Sequence, residues 1–231
     1  MLRKLEELPD FMKIPEVRPY WEVLDKKRGE LFMKRLFDIL ASVILLIILA
    51  LPMLLIAVLI KTDSPGPVFY RQERVTTYGK RFRIHKFRTM VNNADKIGSA
   101  VTVGNDSRIT RIGAKLRGHR LDEFPQLFDV IKGDMSFVGT RPEASRYVEQ
   151  YKPEYNATLL MPAGITSEAS IRYKDEDKLL DEAEDVDKAY MEQVLPSKME
   201  WNLKSISQFS FLKEILTMFR TVFAVFGKEY N

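Results

Sequence analysis

The longest apolar segment of the chain runs for 22 residues, from Ile39 to Ile60, without a charged side chain. A helix needs about 20 apolar residues to cross the hydrocarbon core of a bilayer. Basic residues flank the segment on both sides and would favour the cytoplasmic face for both ends. Pro52 lies inside the segment and removes the helix hydrogen bond to the carbonyl of Ile48. The pattern predicts a membrane helix, either an ordinary kinked span or a re-entrant helix that returns to the face it entered.

This segment divides the chain into three predicted parts. Residues 1–33 form an N-terminal arm whose three prolines indicate an irregular or partly helical course. Residues 34–61 form the membrane helix, and residues 62–231 form a polar, folded domain. Near the end, Phe209 to Phe226 places bulky apolar residues on one face at helical spacing. That amphipathic helix would lie either in the lipid headgroup layer or against the protein core.

Alternating apolar and polar residues predict a β-hairpin directly after the membrane segment. Strands are expected at Val68 to Gln72 and at Arg81 to Phe87, with a turn at residues 77–79. Five cations lie between Lys80 and Arg88. They fit a phosphate-binding surface, but also a charged edge strand or a contact with anionic lipid, and the pattern alone does not choose between these.

The composition removes several kinds of chemistry. The chain has no cysteine and two histidines, which excludes thiol catalysis, disulfides and a multi-histidine metal site. Its net charge of +4 suits an anionic membrane surface or a phosphate-bearing substrate, but it is too small to indicate nucleic acid. Acid–base or nucleophilic work must therefore fall mainly to Asp, Glu, Ser, Thr, Lys or Tyr.

Two adjacent carboxylates, Asp122 and Glu123, are the leading candidates for that chemistry. Apolar spacing predicts a helix here, and Pro125 is tolerated only in a first turn, so the helix should begin at about Asp122. A helix N-terminus would hold Asp122 ionised and attract phosphate. An ionised carboxylate can attack phosphorus, and Glu123 could bind a metal or move a proton. Ordinary helix capping explains the pair equally simply.

A second candidate follows a predicted strand at Met135 to Val138. Thr140 and Glu143 have the spacing of a capping box, which predicts a helix with Arg141 in its first turn. An arginine at that end opposes the helix dipole unless a bound phosphate relieves it.

Several short strings, taken together, resemble the monotopic phosphoglycosyl transferases, a bacterial sugar transferase family. They occur in the order expected for that family and cover roughly residues 34 to 166, which makes the set specific although each string alone is weak. The matching strings are Lys34–Asp38, Ser64–Phe69, Lys86–Met90, Asp106–Gly113, Leu121–Leu127, Lys132–Pro142 and Gly164–Thr166.

The resemblance implies a fold and a reaction. The fold would be α+β and mostly helical, a cytosolic catalytic domain with a re-entrant membrane helix broken near Pro52, docked on the cytoplasmic face of the bacterial inner membrane. Asp122 would attack the β-phosphate of a UDP-sugar and release UMP, and polyprenyl phosphate would then accept the phosphosugar. Mg²⁺ would neutralise the diphosphate, with Asp122 and Glu123 as its candidate ligands.

The same resemblance makes Arg141 a phosphate or nucleotide contact, with Arg88 and Arg117 as further candidates. Membrane lipid is an expected partner, and a homodimer is left open. Two rival functions also remain at this point: a non-catalytic membrane adaptor and a membrane-anchored, metal-dependent phosphohydrolase.

The chain departs from the family pattern at three places. Leu51 stands where a serine usually precedes the proline, so the kink lacks a hydroxyl for the freed backbone groups. Thr140 replaces the first proline of Pro-Arg-Pro. Residues Ser167–Ser170 replace a Gly-Trp-Ala-Gln loop that would shape the sugar or uridine site, so the sequence does not identify the sugar.

Overall fold

The computed structural model describes residues 2–94, 106–173 and 185–225, and the fold is mostly helical. Short 3₁₀ turns at residues 5–7, 10–12, 77–79, 121–123 and 153–160 connect the longer elements. The helices are α1 (Arg18–Asp25), α2 (Arg28–Asp63), α3 (Arg111–Gly118), α4 (Gln126–Lys132), α5 (Ser145–Val148), α6 (Glu168–Arg172), α7 (Val186–Ala189), α8 (Leu195–Ser207) and α9 (Phe211–Val225).

Two small sheets carry the strands. Strands β1 (Phe69–Val75) and β2 (Arg81–Phe87) form the predicted antiparallel hairpin, which is confirmed. Strand β3 (Met135–Val138) is also confirmed, and it pairs in parallel with β4 (Ala163–Thr166). The ends of β3 and β4 approach so closely that a Cβ atom on Gly164 would lie 2.2 Å from the backbone nitrogen of Gly139.

Helix α2 contains the predicted apolar segment, and among the described residues it is the one helix long and apolar enough to cross a membrane. Pro52 lies inside it, and helical backbone continues on both sides of the proline. One face is buried against the domain through Met53, Ile56 and Ile60. The opposite face exposes large aliphatic side chains from Val43 to Leu59. The re-entrant topology stays a prediction.

Both ends of α2 are bonded to the same folded body. Near its start, Lys34 Nζ donates to the carbonyl of Val138 at 2.9 Å and also pairs with Glu214 on α9. At its last residue, the Asp63 carboxylate accepts the backbone N–H of Ile112 on α3 at 3.0 Å. One folded body therefore holds α2 near its start and at its end.

The N-terminal arm is partly helical, as predicted, and it contributes to the main core. Leu2, Leu8, Met12 and Val17 are buried, and they belong to one apolar cluster with residues of α8 such as Met199. The arm is thus packed as an integral layer of the domain.

The C-terminal helix α9 is confirmed, and it has apolar residues on two sides. Phe211 contacts the ring of Phe37 on α2, with 5.8 Å between the centroids, and Met218 packs against the apolar cluster that contains Met135 and Phe137 of β3. Leu212 and Phe219 are exposed on the outer side, 78% and 61% respectively. Core packing therefore explains the inner side, while an interfacial role for the outer side stays a prediction.

The predicted capping box at Thr140 and Glu143 is wrong. Residues 140–144 belong to no helix or strand, and α5 begins at Ser145. The Glu143 carboxylate instead accepts a hydrogen bond from the Tyr190 hydroxyl at 2.5 Å, and Lys198 Nζ lies 3.9 Å away. A long-range buried network has replaced the local cap.

Candidate active site

The two carboxylates lie in a 3₁₀ turn, Leu121–Glu123, between α3 and α4. The helix expected to start at about Asp122 begins as this 3₁₀ turn, and the α-helix α4 begins only at Gln126, after Pro125. Arg120 precedes the turn in a left-handed conformation, with φ 55° and ψ 20°, and its carbonyl accepts the N–H of Glu123 at 3.2 Å. A helix dipole therefore does not act directly at Asp122, and the charge environment must come from side chains.

Three cations converge on Glu123. Its Oε1 atom lies 2.8 Å from Arg141, 3.1 Å from Lys86 and 3.9 Å from Arg120. The carboxylate is 8% exposed. Burial opposes its charge, but Arg141, Lys86 and Arg120 outweigh burial and hold the pKa of Glu123 well below its usual range. Glu123 is therefore a fixed negative charge at neutral pH.

Asp122 is buried to a similar degree, 6% exposed, but its environment differs. In the described part of the chain, no cation lies within ion-pair distance of its carboxylate, and no hydrogen bond reaches it. Burial raises the pKa of Asp122, Lys86 opposes that rise, and the neighbouring Glu123 charge adds to it. The result is a carboxylate that is shielded from water but not committed to a partner.

The structure brings Arg141 to the carboxylates from the irregular segment between β3 and α5. Its guanidinium is 27% exposed and donates to Glu123. Arg117 is partly exposed on α3, and its positive charge also opposes the raised pKa of Asp122. Two of the three predicted phosphate contacts thus lie around the acidic pair.

Arg88 is bound elsewhere. Its guanidinium donates to the carbonyls of Pro65 at 2.6 Å, Ser64 at 2.7 Å and Ile60 at 3.3 Å, and to the Ser64 hydroxyl at 3.0 Å. These acceptors lie at the end of α2 and directly after it. Arg88 closes the helix end, and Gly66 allows this, since a Cβ there would lie 1.9 Å from the guanidinium.

The sequence placed Lys86 among the five cations of the hairpin but did not single it out as a site residue, and it gave no prediction for Arg120. Lys86 lies on the same face of β2 as the buried Phe82 and Ile84, and a lysine that continues an apolar face is a signal that could have identified it. Burial lowers the pKa of Lys86, and the Glu123 charge opposes this. No local pattern marks Arg120, whose role depends on its backbone conformation.

The loop that departs from the family pattern forms the start of α6. The Ser167 hydroxyl caps this helix by accepting the N–H of Ser170 at 3.0 Å. Glu168 accepts hydrogen bonds from Thr217 at 2.6 Å and Arg220 at 3.2 Å, both on α9. Glu168 therefore holds the C-terminal helix.

The donor set for a metal ion is small. Among the described residues, no group of three or more His, Cys, Asp or Glu side chains is placed to hold one. Glu123 is occupied by cations, which leaves Asp122 as the available carboxylate. One carboxylate together with substrate phosphates and water is a donor set that Mg²⁺ accepts, so the residues fit a metal brought largely by its substrate.

A family model described as bacterial sugar transferase matches residues 29–228. The chain is 38% identical over 194 residues to a UDP-N-acetylgalactosamine-undecaprenyl-phosphate N-acetylgalactosaminephosphotransferase of Aeromonas hydrophila, covering 83% of this chain and 43% of that protein.

Two further relatives carry other sugars in their names. A UDP-glucose:undecaprenyl-phosphate glucose-1-phosphate transferase of Klebsiella pneumoniae is 37% identical over 199 residues, 84% of this chain and 40% of its own length. An undecaprenyl-phosphate galactose phosphotransferase of Salmonella typhimurium is 38% identical over 155 residues, 61% of this chain and 32% of its own. The chain thus spans less than half the length of each of these three relatives.

Proposed function

The chain belongs to the bacterial sugar transferase family, and from this premise we propose that it transfers a sugar 1-phosphate from a UDP-sugar to undecaprenyl phosphate. Such a transfer would initiate the assembly of a polysaccharide or another glycoconjugate. The observation that carries the proposal is the contrast at the acidic pair. Glu123 is bound by three cations, whereas the equally buried Asp122 has no ion-pair partner in the described part of the chain.

Asp122 is the proposed nucleophile. Its carboxylate oxygen attacks the β-phosphorus of the UDP-sugar, the bond to the bridging oxygen breaks, and UMP leaves with the bonding electron pair. The phosphosugar then remains on Asp122 as an acyl phosphate. An oxygen of undecaprenyl phosphate attacks the same phosphorus, and Asp122 leaves again as a carboxylate. Burial supports this role, because it excludes water that would hydrolyse the intermediate.

Glu123 has a different proposed task. A carboxylate whose pKa is held well below its usual range is a poor proton carrier at neutral pH. Its charge instead gathers Lys86, Arg120 and Arg141 beside the nucleophile. Arg141, together with Arg117, then binds the diphosphate and stabilises the charge that develops on the leaving UMP.

Mg²⁺ is proposed as the cofactor, held by the diphosphate oxygens with Asp122 as its available protein ligand. When bound, it withdraws negative charge from the phosphate groups and from the leaving UMP.

We propose a re-entrant course for α2, with the catalytic domain on the cytoplasmic face. The 29-residue interval from Lys34 to Asp63 would span about 43 Å as a straight helix, more than the ~30 Å hydrocarbon core. A spanning helix would thus separate its two ends by the whole bilayer. Yet Lys34 and Asp63 are both bonded to the same domain, which supports entry and return at one face. The outer side of α9 would lie in the same interface.

The absence of cysteine makes this topology directly testable. Single cysteines replacing Lys13 in the arm and Lys115 on α3 can be labelled with a membrane-impermeant maleimide. We expect both to react in inside-out membrane vesicles and neither to react in intact cells. Labelling of the two positions from opposite sides would establish a spanning helix instead.

The reaction is tested by UMP release from UDP-N-acetylgalactosamine, UDP-glucose and UDP-galactose, with undecaprenyl phosphate and Mg²⁺. We expect sustained UMP release with one of these UDP-sugars, and we expect that release to require undecaprenyl phosphate. Asp122→Asn should abolish the release. Asp10→Asn, at a 98% exposed side chain, is the matched control and should behave as wild type.

The products separate the rival functions. A labelled sugar that appears in the lipid extract supports transfer, whereas free sugar phosphate without lipid product indicates a hydrolase. Unchanged turnover in Asp122→Asn would refute Asp122 as the nucleophile.

A further inference from the structure

Arg120 has an unusual backbone beside the acidic pair. Its φ of 55° and ψ of 20° lie in the left-handed region, which side chains other than Gly, Asn and Asp rarely adopt. This conformation closes the 3₁₀ turn, because the Arg120 carbonyl accepts the N–H of Glu123. It also directs the arginine side chain back toward the turn, so that a guanidinium nitrogen lies 3.9 Å from Glu123 Oε1.

Arg120 is the most weakly held of the three cations around Glu123. Its distance of 3.9 Å exceeds those of Arg141, 2.8 Å, and Lys86, 3.1 Å. Its side chain is 43% exposed, against 27% for Arg141 and 22% for Lys86. Glu123 would keep two close counter-ions if Arg120 turned away. The guanidinium can therefore exchange partners at little electrostatic cost.

An incoming nucleotide sugar supplies the competing partner. A guanidinium binds two phosphate oxygens at once with its planar fork, which a lysine ammonium cannot do. We propose that Arg120 binds the nucleotide sugar: its guanidinium leaves Glu123 and binds the diphosphate of the UDP-sugar as the substrate enters the site. This inference rests on the proposed function. The left-handed backbone serves this role by holding the side chain at the exposed edge of the acidic pair.

Three substitutions separate the charge from the backbone. Arg120→Gly removes the guanidinium and favours the left-handed conformation, and Arg120→Ala removes the guanidinium while keeping the conformational cost. Arg120→Lys keeps a charge without the fork. Lys115→Ala is the control, because it removes one positive charge from an exposed position on the neighbouring helix α3.

Binding of UDP, measured by isothermal titration calorimetry on the full chain in nanodiscs, reports the contact without requiring turnover or a particular sugar. We expect Arg120→Ala and Arg120→Gly to raise the Kd by at least about tenfold, since losing even one hydrogen bond to a charged group has that effect. Arg120→Lys should fall between these and wild type, and Lys115→Ala should match wild type. Arg120→Gly should also raise the Tm by about 2–4 °C, which excludes misfolding as the cause of weak binding.

Two results would overturn the proposal. If Arg120→Gly binds UDP as wild type does while Arg120→Ala binds weakly, only the backbone matters and the guanidinium does not contact phosphate. If Lys115→Ala weakens binding as much as Arg120→Ala, the effect is one of overall charge.

A separate outcome distinguishes this contact from the proposed transfer. Wild-type protein that binds UDP through Arg120 but releases no UMP from any UDP-sugar would support the contact while refuting the transfer.

Discussion

Replacing Arg88 by Met should destabilise the protein strongly and leave the binding of the nucleotide sugar intact. The guanidinium is 5% exposed and donates four hydrogen bonds to the end of α2 and the residues after it. A hydrogen bond from a charged donor contributes about 1.5–3 kcal/mol. The four do not simply add, since removing Arg88 also removes the cost of burying its charge, and single substitutions rarely exceed 4–5 kcal/mol.

We therefore expect Arg88→Met to lower the free energy of unfolding by about 3–5 kcal/mol. For a chain of this size each kcal/mol shifts the Tm by roughly 2–4 °C, so the Tm should fall by about 6–20 °C. The assay is thermal unfolding in nanodiscs, combined with KM for the UDP-sugar well below the new Tm. Arg111→Met is the matched control near the same helix end; its side chain is 84% exposed, and the Tm should change by less than about 2 °C.

The opposite pattern would refute this reasoning. If Arg88→Met leaves the Tm unchanged and raises KM by tenfold or more, Arg88 contacts the substrate phosphate and the hydrogen bonds to residues 60–65 contribute little. Arg88→Lys sharpens the comparison, because it keeps the charge but cannot reach several carbonyls at once. We expect this variant to recover only part of the lost stability.

Three further predictions concern the site and its frame. The proposed nucleophile must be ionised to attack, and Lys86 lowers the pKa of Asp122 while Glu123 raises it. The acidic limb of kcat/KM for UMP release should therefore move to higher pH in Lys86→Met and to lower pH in Glu123→Gln. Shifts of both variants in the same direction would contradict the assignment of Asp122. Gln126→Met should leave the free energy of unfolding unchanged or raise it by up to about 1–2 kcal/mol, because neither polar atom of this buried amide has a partner in the described chain. A clearly lower free energy of unfolding in chemical denaturation would show that the amide is hydrogen-bonded. Gly164→Ala should abolish folded protein in detergent extracts, since its Cβ would overlap the facing backbone of Gly139, whereas Gly29→Ala meets nothing within 4 Å and should express normally.

The elements that the sequence predicted correctly are those defined by local pattern. The uninterrupted apolar run, the alternation in β2 and the apolar spacing of α9 each depend on neighbours within a few residues. The same is true of the short strand at Met135–Val138, which matches its predicted bounds.

The failures occur where distant residues outweigh local preference. Glu143 had a capping partner three residues away, but it is buried against Tyr190 and Lys198, which come from a later part of the chain. The helix expected at Asp122 is displaced because the cations around Glu123 stabilise a buried acidic turn that would otherwise be costly. The residues next to each predicted helix start show neither interaction; Lys86 alone carries a signal, and it lies on β2.

The different surroundings of Asp122 and Glu123 follow from a competition for the same cations. If Asp122 stood alone, Lys86 and Arg141 would pair with it, and these strong pairs would have to break before the carboxylate could attack phosphorus. Glu123 takes those cations at 2.8 Å and 3.1 Å, and it keeps them within reach of any anion that arrives. In the proposed mechanism, a diphosphate would then meet positive charge that is already gathered and a nucleophile that has no ion-pair partner in the described chain. On this proposal the adjacency of the two acids has a purpose, because Glu123 holds the cations beside Asp122 without leaving them on it.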